Sequence, residues 1–367
     1  MNIALIAGAR PNFMKIAPII DAIKRCKVQG TRCKEINYRL VHTGQHWDEK
    51  MNGAFFRELN IPDPDINLGC GGGTQAEQTA AIMIAFEKEL MDNPTDLVMV
   101  VGDVTSTMAC SIVAKKLNTK VAHIEAGIRS FDLSMPEEIN RMVTDCLADY
   151  FFTTTEWAGE NLRKIGVADD RIFFVGNVMI DTLLANQSRF RKPKFWNKLG
   201  LSTGNFFILT LHRPANVDEE EKLFLTLEAI SEASRGLPVI FPVHPRTEKV
   251  LKSQCHQVPE FLHLTPPLGY LEFNYLVKNA KAVITDSGGI TEETTVMGVP
   301  CITLRDNTER PETIELGTNK LVGTKPSAIK PAMDIILTGN WKKGSIPAFW
   351  DGKAAKRIVE SLLEIYG

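Results

Sequence analysis

Residues that can exchange protons or bind anions lie directly after short apolar runs of this 367-residue sequence. The N-terminal half has three such carboxylates at or close to these positions: Asp103, Glu125 and Glu137. It also has three such cations: Arg10, Lys15 and Arg141. Carboxylates serve in general acid–base catalysis, and arginine and lysine bind phosphate. These residue types indicate proton exchange next to an anionic group.

The C-terminal half carries a different set of residues. The motif Thr285-Asp286-Ser287-Gly288-Gly289 follows an apolar run and precedes a segment with helical periodicity. Small residues there leave backbone N–H groups exposed at a helix N-terminus, which suits a diphosphate. Glu293 lies one turn further and can accept hydrogen bonds from ribose hydroxyls. His212 and His244 also follow apolar runs, and Arg310 lies in a stretch that adds further cations.

Each of these residues has a structural explanation when it is considered alone. A glycine turn after a strand usually reflects chain geometry, and an isolated Asp103 or Glu137 is more often a helix cap or a solvated charge. At least six consecutive strand ends carry charged or glycine-rich motifs, however, and turn geometry requires none of them. The coincidence favours a ligand site.

Short apolar runs alternate with amphipathic segments along the whole chain, and this predicts an α/β fold with parallel sheets covered on both faces. The predicted strands are Ile3–Ile6, Tyr38–His42, Leu97–Val101, Val121–Ile124, Phe151–Thr153, Ile172–Val175, Phe206–Leu211, Val239–Val243, Phe261–Leu264, Ala282–Thr285 and Cys301–Leu304. The predicted helices are Pro11–Arg25, Thr105–Leu117, Pro136–Leu147, Glu156–Ile165, Asp218–Ala233, Tyr270–Lys278 and Ile290–Met297. The length predicts two domains, and the carboxyl ends of both sheets are expected to border one cleft.

Composition excludes several classes of function. The formal net charge of −2 gives no overall field for nucleic acid or an anionic membrane. No apolar stretch is long enough to cross a bilayer, and the N-terminus lacks a basic region before its short apolar run, so we expect a cytoplasmic protein. Seven scattered cysteines without a C-x-x-C pair indicate reduced, buried thiols, and we expect no metal site.

The sequence resembles the non-hydrolysing UDP-N-acetylglucosamine 2-epimerases over essentially its whole length. The resemblance rests on Gly8-Ala9-Arg10-Pro11 with Lys15, Thr43-Gly44-Gln45-His46, Gly102-Asp103, His123-Ile124-Glu125-Ala126-Gly127-Ile128-Arg129, Pro136-Glu137-Glu138-Ile139-Asn140-Arg141, Thr210-Leu211-His212-Arg213, Thr285-Asp286-Ser287-Gly288-Gly289-Ile290 and Thr308-Glu309-Arg310-Pro311-Glu312.

The resemblance implies a GT-B-like fold of two Rossmann-like, doubly wound domains that face an interdomain cleft. The first domain would span residues 1–176 together with a C-terminal helix over 352–367, and the second would span 177–351. The resemblance also implies reversible conversion of UDP-GlcNAc to UDP-ManNAc, and a homodimer.

Two chemical routes would invert the sugar carbon that bears the acetamido group. A route through oxidation needs a tightly held NAD, but the turn at Gly8 lacks G-x-G-x-x-G and the Gly69–Gly73 run follows no convincing strand. The other route expels UDP to leave a 2-acetamidoglucal and re-adds it after protonation from the opposite face. That route needs no cofactor, and the cations and carboxylates listed above suit it.

Residue roles combine the resemblance with this chemistry. Asp103, Glu125 and Glu137 are the candidate acid and base groups, and which of them takes the sugar proton stays open. The groups expected to meet the diphosphate or the sugar are Arg10, Lys15, Arg141, His212 and His244, with His212 counted among the catalytic residues. Ser287, Gly288 and Gly289 would bind phosphate and Glu293 the ribose, with Arg310 close by.

Other activities remain open from the sequence. A sister epimerase could act on a modified UDP-sugar such as a diacetamido-uronic acid, and a hydrolysing relative would release ManNAc and UDP. A GT-B glycosyltransferase would need an acceptor site in place of the carboxylates. A catalytically silent UDP-sugar sensor would not need three carboxylates.

Overall fold

The protein is described by a computed structural model that covers residues 1–28, 36–45, 56, 58–217, 219–243, 251 and 259–366. These residues form two compact α/β units, one comprising Met1–Ala185 with Ala348–Gly367 and the other Asn186–Pro347. The chain therefore changes unit after Ala185 and after Pro347, whereas the sequence predicted changes after residues 176 and 351. None of the described helices is long and apolar enough to cross a membrane.

The first unit is built on a seven-stranded parallel sheet in the order β3-β2-β1-β4-β5-β6-β7. Its strands are β1 (Asn2–Ala7), β2 (Asn37–His42), β3 (Ile66–Asn67), β4 (Leu97–Val101), β5 (Lys120–Ile124), β6 (Tyr150–Thr153) and β7 (Ile172–Phe174). Its helices are α1 (Arg10–Val28), α2 (Gln75–Asp92), α3 (Thr105–Lys116), α4 (Pro136–Leu147), α5 (Glu156–Lys164) and α6 (Val178–Asn186), whose last residue passes into the second unit.

The second unit has a six-stranded parallel sheet in the order β10-β9-β8-β11-β12-β13. Its strands are β8 (Phe207–Thr210), β9 (Val239–Pro242), β10 (Leu262–Thr265), β11 (Ala282–Thr285), β12 (Cys301–Thr303) and β13 (Asn319–Leu321). Its helices are α7 (Pro214–Val217), α8 (Glu220–Ala233), α9 (Tyr270–Asn279), α10 (Gly288–Met297), α11 (Pro311–Glu315) and α12 (Ile329–Leu337).

The last helix, α13 (Ala354–Tyr366), belongs to the first unit and packs against α1. Ala355, Ile358 and Leu362 recur at helical spacing on its buried face, and α1 presents an apolar stripe that includes Ile16 and Ile19. The buried face of α13 and its packing against α1 thus bring this helix back to the first unit.

Each sheet reverses its strand order once, at β1 and β4 in the first unit and at β8 and β11 in the second. At such a reversal the connections leave toward opposite faces of the sheet and open a crevice at the carboxyl ends of the strands, where ligands bind in doubly wound folds. The loops after these four strands, together with the helices that follow them, carry most of the predicted site residues.

Every predicted strand and helix is present, with ends shifted by a few residues, but some elements were missed. The unpredicted elements include β3, α2, α6, β13 and α12. The Gly69–Gly73 run does follow a strand, β3, so that premise against a dinucleotide site was wrong. The position that would need the third glycine of G-x-G-x-x-G is Thr74, which caps α2.

The expectation that all cysteines are reduced and buried was also wrong. Cys26 is disulfide-bonded, and Cys146 is an exposed free thiol. Cys70, Cys110 and Cys301 are free and buried, as expected.

Candidate functional site

A buried ion pair lies at the strand reversal of the first unit. Lys15 of α1 contacts Glu125, which follows β5, with 2.6 Å between Nζ and Oε2. Both side chains are buried. A Cβ added at Gly102, after β4, would lie 3.3 Å from Lys15 Nζ and 3.7 Å from Glu125 Oε2. The ion pair therefore packs directly on the turn that carries Asp103.

Arg141 holds Asp103 from the side of α4. Its Nε and Nη2 donate to Asp103 Oδ2 over 3.1 and 2.8 Å. Asn140, on the same helix, donates from Nδ2 to the backbone oxygen of Asp103 over 2.9 Å. Arg141 is buried, whereas the Asp103 side chain is 32% exposed and so accessible to a ligand. The structure thus brings Lys15, Glu125, Asp103 and Arg141 into one cluster around the Gly102 turn.

The two adjacent glutamates of α4 differ in burial and in hydrogen bonding. Glu138 is buried and accepts hydrogen bonds from Arg141 Nη1, Ser130 N, Ser130 Oγ and Phe131 N over 2.5, 2.9, 3.0 and 3.2 Å. Glu137 is exposed and makes no hydrogen bond or ion pair with another residue of the described chain. Glu138 therefore anchors the loop before α4, and the acid–base role of Glu137 stays a prediction.

A second buried network supports the same turn and was not predicted. His123 of β5 contacts Asp145 Oδ1 through Nδ1 over 2.7 Å and the Gly102 oxygen through Nε2 over 2.8 Å. Burial acts to raise the pKa of Asp145, but His123 and Arg129 together hold that pKa below its ordinary value. The two ring nitrogens of His123 thus connect Asp145 to the Gly102 carbonyl, and this buried network holds the turn that carries Asp103.

The turn after β1 is tied to β4 by Asn12. Its Oδ1 accepts from the N–H groups of Gly8 and Ala9 over 3.0 and 2.9 Å, and its Nδ2 donates to Val101 O over 2.9 Å. Arg10 begins α1 at this turn, and its side chain lies outside the described part of the structure. Arg10 is thus placed at the same strand reversal as Lys15 by its backbone.

In the second unit, His212 is oriented by a fully buried carboxylate. Its Nδ1 lies 2.7 Å from Asp286 Oδ1, while the imidazole is 61% exposed. Asp286 also accepts from the backbone N–H of Arg213 over 2.9 Å and from Asn216 Nδ2 over 3.1 Å. Burial acts to raise the pKa of Asp286, but hydrogen bonds from His212 and these groups hold that pKa below its ordinary value. The ionised carboxylate fixes the proton of His212 on Nδ1, leaving Nε2 available for a ligand.

The predicted phosphate loop forms the N-terminus of α10. Ser287 is the N-cap in an extended conformation, and its side chain makes no capping hydrogen bond. Gly288 and Gly289 are partly exposed, and the first N–H groups of a helix have no acceptor within it. A Cβ at Gly288 would lie 2.6 Å from Glu309 Oε1, so a larger residue there would displace the Glu309 carboxylate. The helix end therefore offers free donors and a partial positive charge.

Further along α10, both glutamates are buried. Glu293 accepts a 2.7 Å hydrogen bond from the Tyr270 hydroxyl, and burial raises its pKa to about 7. Glu292 pairs with Arg310, with 2.9 Å between Oε1 and Nε. Arg310 therefore lies against α10, the helix that Ser287 caps. His244 lies outside the described residues, and no group of three or more His, Cys, Asp or Glu that could hold a metal ion occurs among those described.

A family model described as UDP-N-acetylglucosamine 2-epimerase matches residues 29–363. The chain belongs to this family. The UDP-N-acetylglucosamine 2-epimerase of Methanocaldococcus jannaschii is 42% identical over 374 residues, covering 99% of each chain. The UDP-2,3-diacetamido-2,3-dideoxy-D-glucuronate 2-epimerase of Pseudomonas aeruginosa is 37% identical over 369 residues and covers 100% of both.

Solved structures of the epimerase family have the same fold. The M. jannaschii UDP-GlcNAc 2-epimerase in complex with UDP-GlcNAc and UDP has a TM-score of 0.87 at 42% identity, with 100% of both chains covered. A lipopolysaccharide outer core galactosyltransferase, with a TM-score of 0.55 at 16% identity and 100% of both chains covered, shares the fold alone. The predicted GT-B-like class with two Rossmann-like units is therefore confirmed.

Four residues that hold the site in place in this family member were assigned no role from the sequence. Three of them lie within the motifs that carry the family resemblance. Asp286 directly precedes Ser287, Glu138 directly follows Glu137, and His123 lies two residues before Glu125. Asp145 is the fourth residue, on α4 beyond the motif that begins it. Their roles depend on partners distant in sequence, which a motif does not identify.

Proposed function

We propose that the protein interconverts UDP-GlcNAc and UDP-ManNAc by inverting the sugar C2 without net hydrolysis. The observation that carries this proposal is the cluster around the Gly102 turn, in which Glu125 is held by Lys15 and Asp103 by Arg141. Two cation-bound carboxylates at one strand reversal suit proton exchange with a sugar. The family and the UDP-GlcNAc bound to a 42% identical relative support the same substrate.

The reaction proceeds by elimination and re-addition. A carboxylate takes the C2 proton, the C2–H electrons form the C1–C2 double bond, and the C1–O bond breaks to release UDP. The resulting 2-acetamidoglucal is protonated at C2 from the opposite face, and a UDP oxygen bonds to C1 again. Atoms and charge balance without an oxidant, so the cycle uses no redox cofactor.

The first unit supplies the groups that act on the sugar. Asp103, Glu125 and Glu137 are the candidate acid and base, and removal from one face with delivery to the other requires two groups. Arg10, Lys15 and Arg141 stabilise the charge that develops on the leaving diphosphate. Since Lys15 and Arg141 also contact the carboxylates, they couple the charge of the leaving group to the proton-exchanging residues.

The second unit binds the nucleotide. The free N–H groups of Gly288 and Gly289, together with the Ser287 hydroxyl, bind the phosphates at the start of α10. Glu293 accepts hydrogen bonds from the ribose hydroxyls. Arg310 lies close by, because it pairs with Glu292, the residue before Glu293. His212, oriented by Asp286, and His244 bind the departing diphosphate.

A second candidate substrate is a UDP-diacetamido-uronate. The 37% identical P. aeruginosa relative that acts on such a sugar matches this chain from end to end, so the same scaffold accommodates it. The chemistry at C2 is identical for both sugars. Only the groups at C3 and C5 of the sugar differ.

The test is to incubate the purified protein separately with each UDP-sugar and to identify products by proton and phosphorus NMR. UDP-ManNAc from UDP-GlcNAc is the expected product, and Asp103→Asn should abolish it. Asp334→Asn, at a partly exposed aspartate of the second unit outside the proposed site, should not. Free ManNAc with UDP would show a hydrolysing enzyme. Turnover of the diacetamido-uronate alone would replace the proposed substrate with the second candidate.

A further inference from the structure

Arg305 is a buried arginine that no proposed role above uses. It follows β12, which pairs with β11 in the sheet of the second unit, and it is 4% exposed. Its Nη2 contacts Glu309 Oε2 over 2.5 Å and Asn307 Oδ1 over 3.3 Å. One of its three nitrogens is therefore occupied by neighbouring side chains.

The other two nitrogens of Arg305 lack an acceptor. Nε and Nη1 are buried and have no hydrogen-bond partner among the described residues. Nearly all buried polar groups in folded proteins are paired, because an unpaired donor has lost its water without replacement. A guanidinium left in this state indicates that something absent from the isolated chain accepts from it.

The position of Arg305 identifies where that acceptor lies. A Cβ at Gly288 would lie 3.9 Å from Arg305 Nη1, so this nitrogen is beside the first residue of α10. The N-terminal N–H groups of that ten-residue helix are themselves free for an anion. Two independent sets of unused donors thus lie next to each other.

We propose that Arg305 is a diphosphate-binding residue, whose Nε and Nη1 donate to phosphate oxygens of the nucleotide held at the N-terminus of α10. The inference rests on the proposed function and adds a contact to its nucleotide site. It also accounts for Glu309, whose carboxylate lies so close to Gly288 that it would repel a diphosphate. Paired with Arg305, Glu309 instead restrains one end of the guanidinium and leaves the other donors to the ligand.

The test compares UDP with uridine, which lacks the phosphates, by titration calorimetry and ligand-observed NMR on the full chain. Arg305→Gln should raise the Kd of UDP about tenfold to a hundredfold, the range for charge-assisted hydrogen bonds. The Kd of uridine should stay within about twofold, and Arg305→Lys should fall between wild type and Arg305→Gln. Arg235→Gln, which removes an exposed arginine of the same unit, is the matched control.

Three results separate the possibilities. An unchanged Kd for UDP in Arg305→Gln would overturn the inference while leaving epimerisation by the wild-type protein intact. Equal loss for UDP and uridine would overturn it as well, since it would indicate a distorted unit. A wild-type chain that binds no UDP would contradict the proposed function itself. If Arg305→Gln does not fold, Arg305→Lys is judged by the same UDP-to-uridine comparison.

Discussion

At the scale of single residues, the site depends on carboxylates that are buried for different purposes. Asp286 and Glu138 are both saturated with hydrogen bonds from neighbouring groups. Asp103 remains partly exposed, with its arginine on one side. Asp286 and Glu138 therefore orient neighbouring groups, whereas Asp103 stays accessible to a ligand.

Asp286→Asn should lower kcat about tenfold to a thousandfold because His212 loses the ionised partner that fixes its Nδ1 proton. Epimerisation rates measured by NMR check this expectation, with Asp334→Asn as the control. In a His212→Ala background the same substitution should change kcat little, since the two residues act as one unit. An undiminished effect of Asp286→Asn in that background would contradict the assignment.

Glu137 and Glu138 offer a paired comparison on neighbouring positions. Glu138→Gln removes the charge buried against Arg141 and should destabilise the first unit by about 3 kcal/mol, lowering the melting temperature. Glu137→Gln should leave the melting temperature unchanged, because the side chain is exposed, but lower kcat more than tenfold. Calorimetry and turnover rates measure the two effects. Full activity of Glu137→Gln would remove Glu137 from the candidate acids and bases.

At the scale of elements, the contact between α9 and α10 carries a pH dependence. Tyr270 begins α9 and donates to Glu293 within α10, and burial raises the pKa of Glu293 from its ordinary 4.5 to about 7. The folded state therefore retains this proton where the unfolded chain has lost it. The stability from Glu293 is fully present below pH 4.5 and is lost as the pH rises through about 7.

Glu293→Gln should remove this dependence. Relative to wild type, the free energy of unfolding of the second unit should rise by up to about 3 kcal/mol between pH 4 and pH 8. Urea-dependent hydrogen exchange of the β11 amides at several pH values measures it. A difference between variant and wild type that stays constant with pH would show that Glu293 ionises alike in both states.

The sequence predicted the elements that carry the site better than those that complete the sheets. Apolar runs marked β1, β4, β5 and β11, because fully buried parallel strands read as continuous apolar segments. β3 has two residues and depends on pairing with β2, so no local pattern reveals it. α2 could have been found, since Thr74 and Glu77 form a capping box at its start.

The site, like the sheets, contains features that depend on distant partners and leave no local pattern in the sequence. Residues at strand ends were predicted as site residues because parallel strands bring their carboxyl ends to one edge of the sheet. The sequence could not show which of Glu137 and Glu138 is buried, because the burial of Glu138 depends on its hydrogen bonds with Arg141 and with Ser130. The sequence shows Arg305 only as one more cation close to Arg310. Its two buried nitrogens without an acceptor become visible only when the packing around the side chain is known.

At the scale of the whole molecule, the chain finishes the first unit with its last helix. Ile358 is fully buried on α13, which packs against α1, so Ile358→Ala leaves a cavity and should destabilise that unit by about 2–4 kcal/mol. Hydrogen exchange should quicken in α1 and β1 while β8 and β11 keep their protection. Glu360→Ala, an exposed position on the same helix, serves as the control. Equal loss of protection in both units would show that they unfold together.

The central claim is that the sugar C2 exchanges its proton through a glucal intermediate, and proton NMR in D₂O tests it most directly. The purified protein is given UDP-GlcNAc alone, and the C2 and anomeric signals are followed with time. The account predicts UDP-ManNAc with deuterium at C2, deuterium entering C2 of the remaining UDP-GlcNAc, and traces of UDP with 2-acetamidoglucal. UDP-ManNAc that retains the original proton at C2 would contradict it.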